Sequence, residues 1–269
     1  MFGVVPKALW QRRITPDDRN RIPLGMRCLL VEHESGLILI DSGAGNKEDP
    51  KFKDIYGLNN DALETEQDGT RRTSLESGIR QLGHTPEDIS LVVNTHLHFD
   101  HAGGNTYVNA SGEVKPSFPN ARYVVQAGEH RWATHTNERT AASYFARNWD
   151  SIIAAGRFDF IEGEREIVTG IRVVRTPGHV PHHQSVVIDG DGEIACFLGD
   201  VCPTVSHLPL PWIMGYDVEP LVTLESKRRL LAQANEERWL LIFEHDAFTP
   251  WGRVRHDGKA YALVPEADG

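Results

Sequence analysis

The sequence is poor in cysteine, with Cys28, Cys196 and Cys202 as its only three. So low and odd a count excludes a disulfide scaffold and points to a reduced, cytoplasmic protein. Long apolar runs are also missing. None exceeds the five residues of Trp239–Phe243, far short of the ~18–20 that cross a bilayer. The opening residues Met1 to Lys7 lack the basic stretch and apolar segment of an export signal, so no membrane partner is expected. Positive charge is in deficit: 28 Lys and Arg against 38 Asp and Glu leave a net charge of −10 with neutral histidine. Such a chain repels phosphate backbones unless its basic residues cluster. Arg12-Arg13, Arg71-Arg72 and Lys227-Arg228-Arg229 are too short for a groove, which excludes nucleic acid as a partner. Low-complexity segments and Ser/Gly linkers are absent too, so residues 1–269 are expected to form a single domain. Residues 1–25 read as an N-terminal arm. Exposed Trp10 and Ile22 within it (Phe2 to Pro23) suggest packing on a partner chain and a homodimer.

What is present is an alternation of strand-like and helix-like runs. Residues 26–32 and 37–40, separated by His33-Glu34-Ser35-Gly36, read as a hairpin. Thr73 to Glu76 form a capping box that opens a helix with Leu75, Ile79 and Leu82 on one face, stopped by Gly83. Thr85-Pro86-Glu87-Asp88 starts a single turn before a strand over residues 89–93. Residues 128–149 have helical character without a clean apolar stripe. Strands are predicted at 167–175, 185–188, 194–198 and 239–243, with a turn at Asp189-Gly190-Asp191-Gly192. Pro220 begins a helix with Leu221, Leu224 and Leu231 inward. Mixed elements over this length suggest an α/β layered fold.

Thirteen histidines are the compositional oddity, and their placement is informative. Several strand-like runs end in a potential metal ligand or its support: Asp41, the cluster from His96 to His101, His179, Asp200 and His245. If these strands share an edge, their side chains converge. His96-Leu97-His98-Phe99-Asp100-His101 packs imidazoles and a carboxylate, good ligands for divalent metals, into six residues. The spacing of two and then three, followed by Gly103-Gly104, favours a loop wrapped around an ion over a helix face. A polar loop that happens to be rich in histidine explains such density poorly. His33, His84, His130, His135 and His256 show no ligand spacing and suit surface or capping roles. A buried small side chain suffices for Cys196 and Cys202.

The stretch from Thr95 to Gly104 resembles the signature of the metallo-β-lactamase superfamily. Thr176-Pro177-Gly178-His179, Leu198-Gly199-Asp200 and Glu244-His245 match its later motifs in order, and Leu37 to Gly43 resembles its early strand and turn. The resemblance implies a four-layer αββα sandwich with a two-metal site at one edge of the sheets. It implies that His96, His98 and His179 hold one ion, that Asp100, His101 and His245 hold the other, and that Asp200 bridges them. Two divalent ions are implied, zinc first, with iron, manganese, cobalt or nickel also suited to nitrogen and oxygen ligands. Such a pair lowers the pKa of a held water towards ~7 and so provides hydroxide at neutral pH. Asp100 would be the catalytic carboxylate, orienting that hydroxide and relaying a proton to the leaving group. Asp41 would accept a hydrogen bond from a ligand imidazole, although a turn aspartate explains it equally well. His182 and His183 follow the ligand His179; His183 could support it from behind, although a structural role fits each.

The layout is most similar to the quorum-quenching N-acyl-homoserine lactonases, with Asp200 21 residues after His179 and His245 45 after Asp200. The implied reaction is attack by a metal-bridging hydroxide on a lactone or small carboxylic ester. One departure is Pro203, where many such lactonases carry a tyrosine; His207 and Tyr216 are candidate replacements. Phe99, Thr204, His207, Trp212, Met214 and Tyr216 are candidate substrate-pocket residues for a small molecule. The alternatives are a phosphotriester or organophosphate hydrolase, a glyoxalase-like thioesterase and an iron-dependent sulfur dioxygenase. A nuclease fits the acidic chain poorly. A β-lactamase would usually lack the aspartate matched by Asp200. A non-catalytic binding protein would have lost ligands, yet every expected position is filled.

Overall fold

The turn His33-Glu34-Ser35-Gly36 closes the hairpin expected of it. Leu29–His33 and Gly36–Ile40 pair antiparallel, with Leu29 opposite Ile40. The structure, a computed structural model, describes residues 1–264. The chain separates into two compact units, Cys28–Glu162 and Met1–Arg27 together with the chain from Gly163 onward.

In Cys28–Glu162 five strands lie side by side in the order Leu29–His33, Gly36–Ile40, Ile89–Val93, Arg122–Gln126, Phe158–Ile161. All neighbours after the hairpin are parallel. The carboxyl ends of Gly36–Ile40 and Ile89–Val93 therefore open on one edge, which carries Asp41 and the run from Asn94 to His96. Ile79 of the helix Ser74–Gln81 and Ile152 of the helix Asp150–Ala154 pack with Leu39, Ile89, Val92 and Tyr123. Each such side chain contributes about 1.5–3 kcal/mol through burial. Ile38 and Ile40 alternate with Leu39 and are also fully buried, so both faces of the sheet are covered.

Thr73 and Glu76 form the capping box read from the sequence, the Thr73 N–H donating to Glu76 Oε2 at 2.9 Å. The helical expectation over residues 128–149 holds only for Ala127–Ala133. Beyond it the Asn137 side chain accepts the N–H groups of Arg139 and Thr140 at 3.0 and 3.2 Å, replacing helix hydrogen bonds with a local turn. Tyr144 and Trp149 are buried one by one among 3₁₀ turns rather than along a helix stripe.

The other unit carries six strands in the order Arg165–Val168, Ile171–Arg175, Gln184–Gly190, Glu193–Phe197, Leu240–Ile242, Trp251–Gly252. The single strand expected over 167–175 is instead two paired strands, because Gly170 at φ +75° turns the chain back. Asp191 and Gly192, at φ 54° and 78°, make the predicted turn between the next two strands. Ile171–Arg175, Glu193–Phe197 and Leu240–Ile242 point the same way, so His179, Asp200 and His245 follow carboxyl ends on one edge.

The helix Pro220–Glu236 packs Leu230, Leu231 and Ala234 against this sheet's core of Val187, Cys196, Leu198 and Trp239. Leu231 is inward as expected, Leu224 is half-buried and Leu221 is 76% exposed. Polar residues take the missing inward places. Ser226 Oγ donates to Pro177 O at 2.7 Å, and Lys227 Nζ donates to the carbonyls of His207, Pro209 and Trp212 at 2.8, 3.0 and 2.8 Å.

In the N-terminal arm Val4 and Leu9 are exposed and Trp10 and Ile22 are half-buried. Phe2 is buried and stacks on Trp10 and His207, with Trp212 edge-on. Among the described residues, no helix is long and apolar enough to cross a membrane.

Candidate metal centre

In Cys28–Glu162 the ligand cluster begins at the carboxyl end of Ile89–Val93 and continues into a one-turn helix, Phe99–Ala102, rather than an open loop. The imidazole of His96 lies 4.5 Å from that of His98 and 4.0 Å from that of His101, between ring centres. Asp100 Oδ1 is 3.9 Å from His101 Nε2. Gly103 and Gly104 are required by close approach of the turn after Asp41. A Cβ on Gly104 would sit 2.0 Å from Ser42 O, and one on Gly103 would sit 2.3 Å from Ala44 O.

Hydrogen bonds fix the proton positions of two of these rings, those of His101 and His96. Asp41, in a left-handed conformation at φ 54°, accepts the Thr95 N–H on Oδ1 and the Thr95 hydroxyl on Oδ2, both at 2.7 Å. Its Oδ2 also accepts the Nδ1–H of His101 at 2.9 Å. Since the Thr95 hydroxyl proton goes to Asp41, its oxygen accepts the Nδ1–H of His96 at 3.0 Å. Both imidazoles are thereby left with an Nε2 lone pair.

The other unit repeats this logic. His179 Nδ1 donates to Asp217 Oδ1 at 2.9 Å, and His245 Nδ1 donates to the Gly25 carbonyl at 2.8 Å. Their Nε2 atoms stand on either side of Asp200, 3.0 Å from Oδ2 and 3.1 Å from Oδ1 respectively. His183 accepts the Asp200 backbone N–H on Nε2 at 3.0 Å and directs its Nδ1–H to Thr176 Oγ1 at 2.8 Å. The relay continues from Thr176 through Ser185 Oγ to Leu198 O, at 2.9 and 2.8 Å. His183 thus holds the main chain of Asp200.

Imidazole lone pairs and carboxylate oxygens are the donors that divalent ions such as zinc take. The residues of each unit fit such ions. His96, His98, Asp100 and His101 come from one unit, and His179, Asp200 and His245 from the other.

Of the candidate pocket residues, Phe99, Thr204, His207 and Met214 are buried, Trp212 is half-buried and Tyr216 is 60% exposed. Phe99 meets Phe52 and Tyr56, each with ring centres 5.0 Å away. The Thr204 hydroxyl and His207 Nδ1 are 2.8 Å apart. Burial, with help from the Lys227 charge, pushes the His207 pKa from 6.5 down to about 3, so the ring is neutral.

Sequence reasoning missed Asp217, Thr95 and Gly25 as partners of the ligand histidines. It also missed Glu129, which accepts the Leu97 N–H at 3.1 Å and the Tyr144 hydroxyl at 2.9 Å, with the Tyr144 ring 4.7 Å from that of His98. Thr95, adjoining the cluster, was the one with a local signal.

A family model described as the metallo-β-lactamase superfamily matches residues 23–245. The chain belongs to that superfamily. Among curated relatives, the N-acyl homoserine lactonase AiiA of Bacillus thuringiensis subsp. kurstaki is 29% identical over 244 residues, covering 87% of this chain and 85% of AiiA. A solved structure described as a probable metal-dependent hydrolase from Staphylococcus aureus is similar with a TM-score of 0.84 at 29% identity, over 99% of this chain and 92% of that one. An N-acyl homoserine lactone hydrolase solved with N-hexanoyl-L-homoserine at its catalytic metal centre gives 0.60 at 25% identity, over 84% of each chain. The family and fold class expected from the motifs are those found, and these relatives are hydrolases, by description lactonases and a metal-dependent enzyme.

Proposed function

We propose that this protein is a dinuclear-metal-dependent hydrolase of lactones, with N-acyl homoserine lactones the first substrate class and small carboxylic esters the second. The observation that carries the reading is Asp200. Its two oxygens face His179 Nε2 and His245 Nε2 at 3.0 and 3.1 Å, so one carboxylate stands between two imidazole donors and could serve a cation on each side. His96, His98 and His179 would hold one ion, and Asp100, His101 and His245 the other, with zinc as the metal. Similarity to the lactonases supports the substrate class.

Two bound cations supply an activated water at neutral pH and polarise the substrate carbonyl. Asp100, whose side chain is 29% exposed, takes up the proton released as water adds to the carbonyl carbon. It returns that proton to the ring oxygen as the C–O bond breaks, so one water is consumed and a hydroxy acid leaves. Asp41 and Thr95 keep His101 and His96 in the ligand tautomer throughout. The setting we propose is the cytoplasm, in keeping with a low and odd cysteine count of three.

The test is a screen of the zinc-loaded protein against N-acyl homoserine lactones, aryl esters, phosphotriesters, a β-lactam and a glutathione thioester. The lactones should give the highest kcat/KM. A phosphotriester or thioester ahead of them would overturn the substrate class.

A further inference from the structure

We propose that Asp217 is a positioning residue, the carboxylate that sets the proton and orientation of His179 and thereby the affinity of the ion His179 would hold. This rests on the metal-dependent reading above. Asp217 is 3% exposed, so its charge is carried in a nearly dry place, and its Oδ1 accepts the Nδ1–H of His179 at 2.9 Å. A buried carboxylate needs such compensation, and the imidazole supplies it together with the Lys227 charge. In return the hydrogen bond leaves the Nε2 lone pair directed to the Asp200 side, where the nearest oxygen is 3.0 Å away. A carboxylate behind a ligand histidine also makes the ring a stronger donor.

The loop that delivers Asp217 has its own anchors. Val218 N donates to His179 O at 3.1 Å, Glu219 N donates to Gly178 O at 2.9 Å, and Asp217 N donates to Met214 O at 3.3 Å. Gly178 lies so close to the start of the helix Pro220–Glu236 that a Cβ there would be 2.1 Å from Thr223 N. Main-chain bonds and close packing therefore hold the loop, and the carboxylate meets the ring from it. His245 is served differently, by the neutral Gly25 carbonyl. The Nδ1 of His179 therefore meets a carboxylate, and that of His245 a main-chain oxygen.

The experiment titrates zinc into the metal-free full-length protein, its Asp217→Asn and Asp217→Ala variants, in competition with a chromophoric chelator. Melting of the metal-free forms and the visible spectrum after cobalt loading are read alongside. Asn keeps the size and can still accept the Nδ1–H, but lacks the charge. Asp217→Asn should weaken one of two zinc equivalents by about 10-fold and Asp217→Ala by up to about 100-fold, with an altered cobalt spectrum and an unchanged metal-free melting temperature. Asp217→Asn binding both equivalents within twofold of the parent overturns this inference alone. So does loss of cooperative melting in the metal-free Asn variant, which would assign the carboxylate to folding. A parent that takes up no zinc overturns the proposed function as well.

Discussion

The ring of Phe2 lies flat on the imidazole of His207, with centroids 4.9 Å apart and planes 11° from parallel. One of the first residues of the chain thus covers the segment that follows Asp200, and Trp10 and Trp212 complete the contact. Phe2→Ala should destabilise the protein by about 3 kcal/mol through the lost burial and the cavity left behind. A urea titration reads this as a lower midpoint at unchanged slope; an unmoved midpoint would show that the stack is idle.

The neutral state of His207 predicts a pH effect. Its folded pKa is depressed from 6.5 to about 3, so above pH 6.5 the ring is uncharged whether folded or unfolded. Between those values the unfolded chain binds a proton that the folded chain refuses. Stability from this group is therefore present above pH 6.5 and is lost as pH falls towards 3, by roughly 1.4 kcal/mol per pH unit. His207→Gln should flatten the difference in melting temperature between pH 7 and pH 5, measured against the parent.

His101→Ala and Asp200→Ala should each lower lactone turnover by about three orders of magnitude or more, a change of ~4 kcal/mol in the barrier. Far-ultraviolet circular dichroism should stay at parent values. Near-normal turnover in either variant would remove these residues from the site.

Zinc should stabilise the protein it occupies. At a free concentration 100 times its dissociation constant the gain is about 2.7 kcal/mol per site. Chelation should lower the melting temperature and zinc should restore it, whereas magnesium, which prefers oxygen ligands, should not.

Gly178→Ala is expected to be damaging for two independent reasons. The residue is at φ +132°, which side chains rarely adopt, and the added carbon would sit 2.1 Å from the Thr223 backbone nitrogen. The variant should lose more than about 2 kcal/mol of stability and bind zinc more weakly, because His179 is the next residue. A melting curve and a zinc titration read the two effects separately.

The metal-ligand candidates were legible because their chemistry is concentrated and follows strand ends. The hairpin at residues 29–40, the capping box at Thr73 and the turn at Asp191-Gly192 were legible because each has a local cause in neighbouring residues. What escaped had non-local causes. Asp217 is 38 residues from His179, and no spacing rule connects them. Residues 128–149 carry helix-forming composition, but Asn137 diverts the backbone hydrogen bonds and the aromatic rings are buried singly. Leu221 looked inward by period, yet the inward stations of its helix went to Ser226 and Lys227, whose partners lie in loops far along the chain.

Lys227 has a consequence for how this loop could evolve. Its ammonium holds three main-chain oxygens, those of His207, Pro209 and Trp212, at 2.8–3.0 Å. A stretch pinned at three points to one interior cation cannot swing open without stranding that cation. Change in that stretch must therefore come by exchanging its side groups over an immobile rail, and insertions between residues 207 and 212 should be purged long before substitutions are.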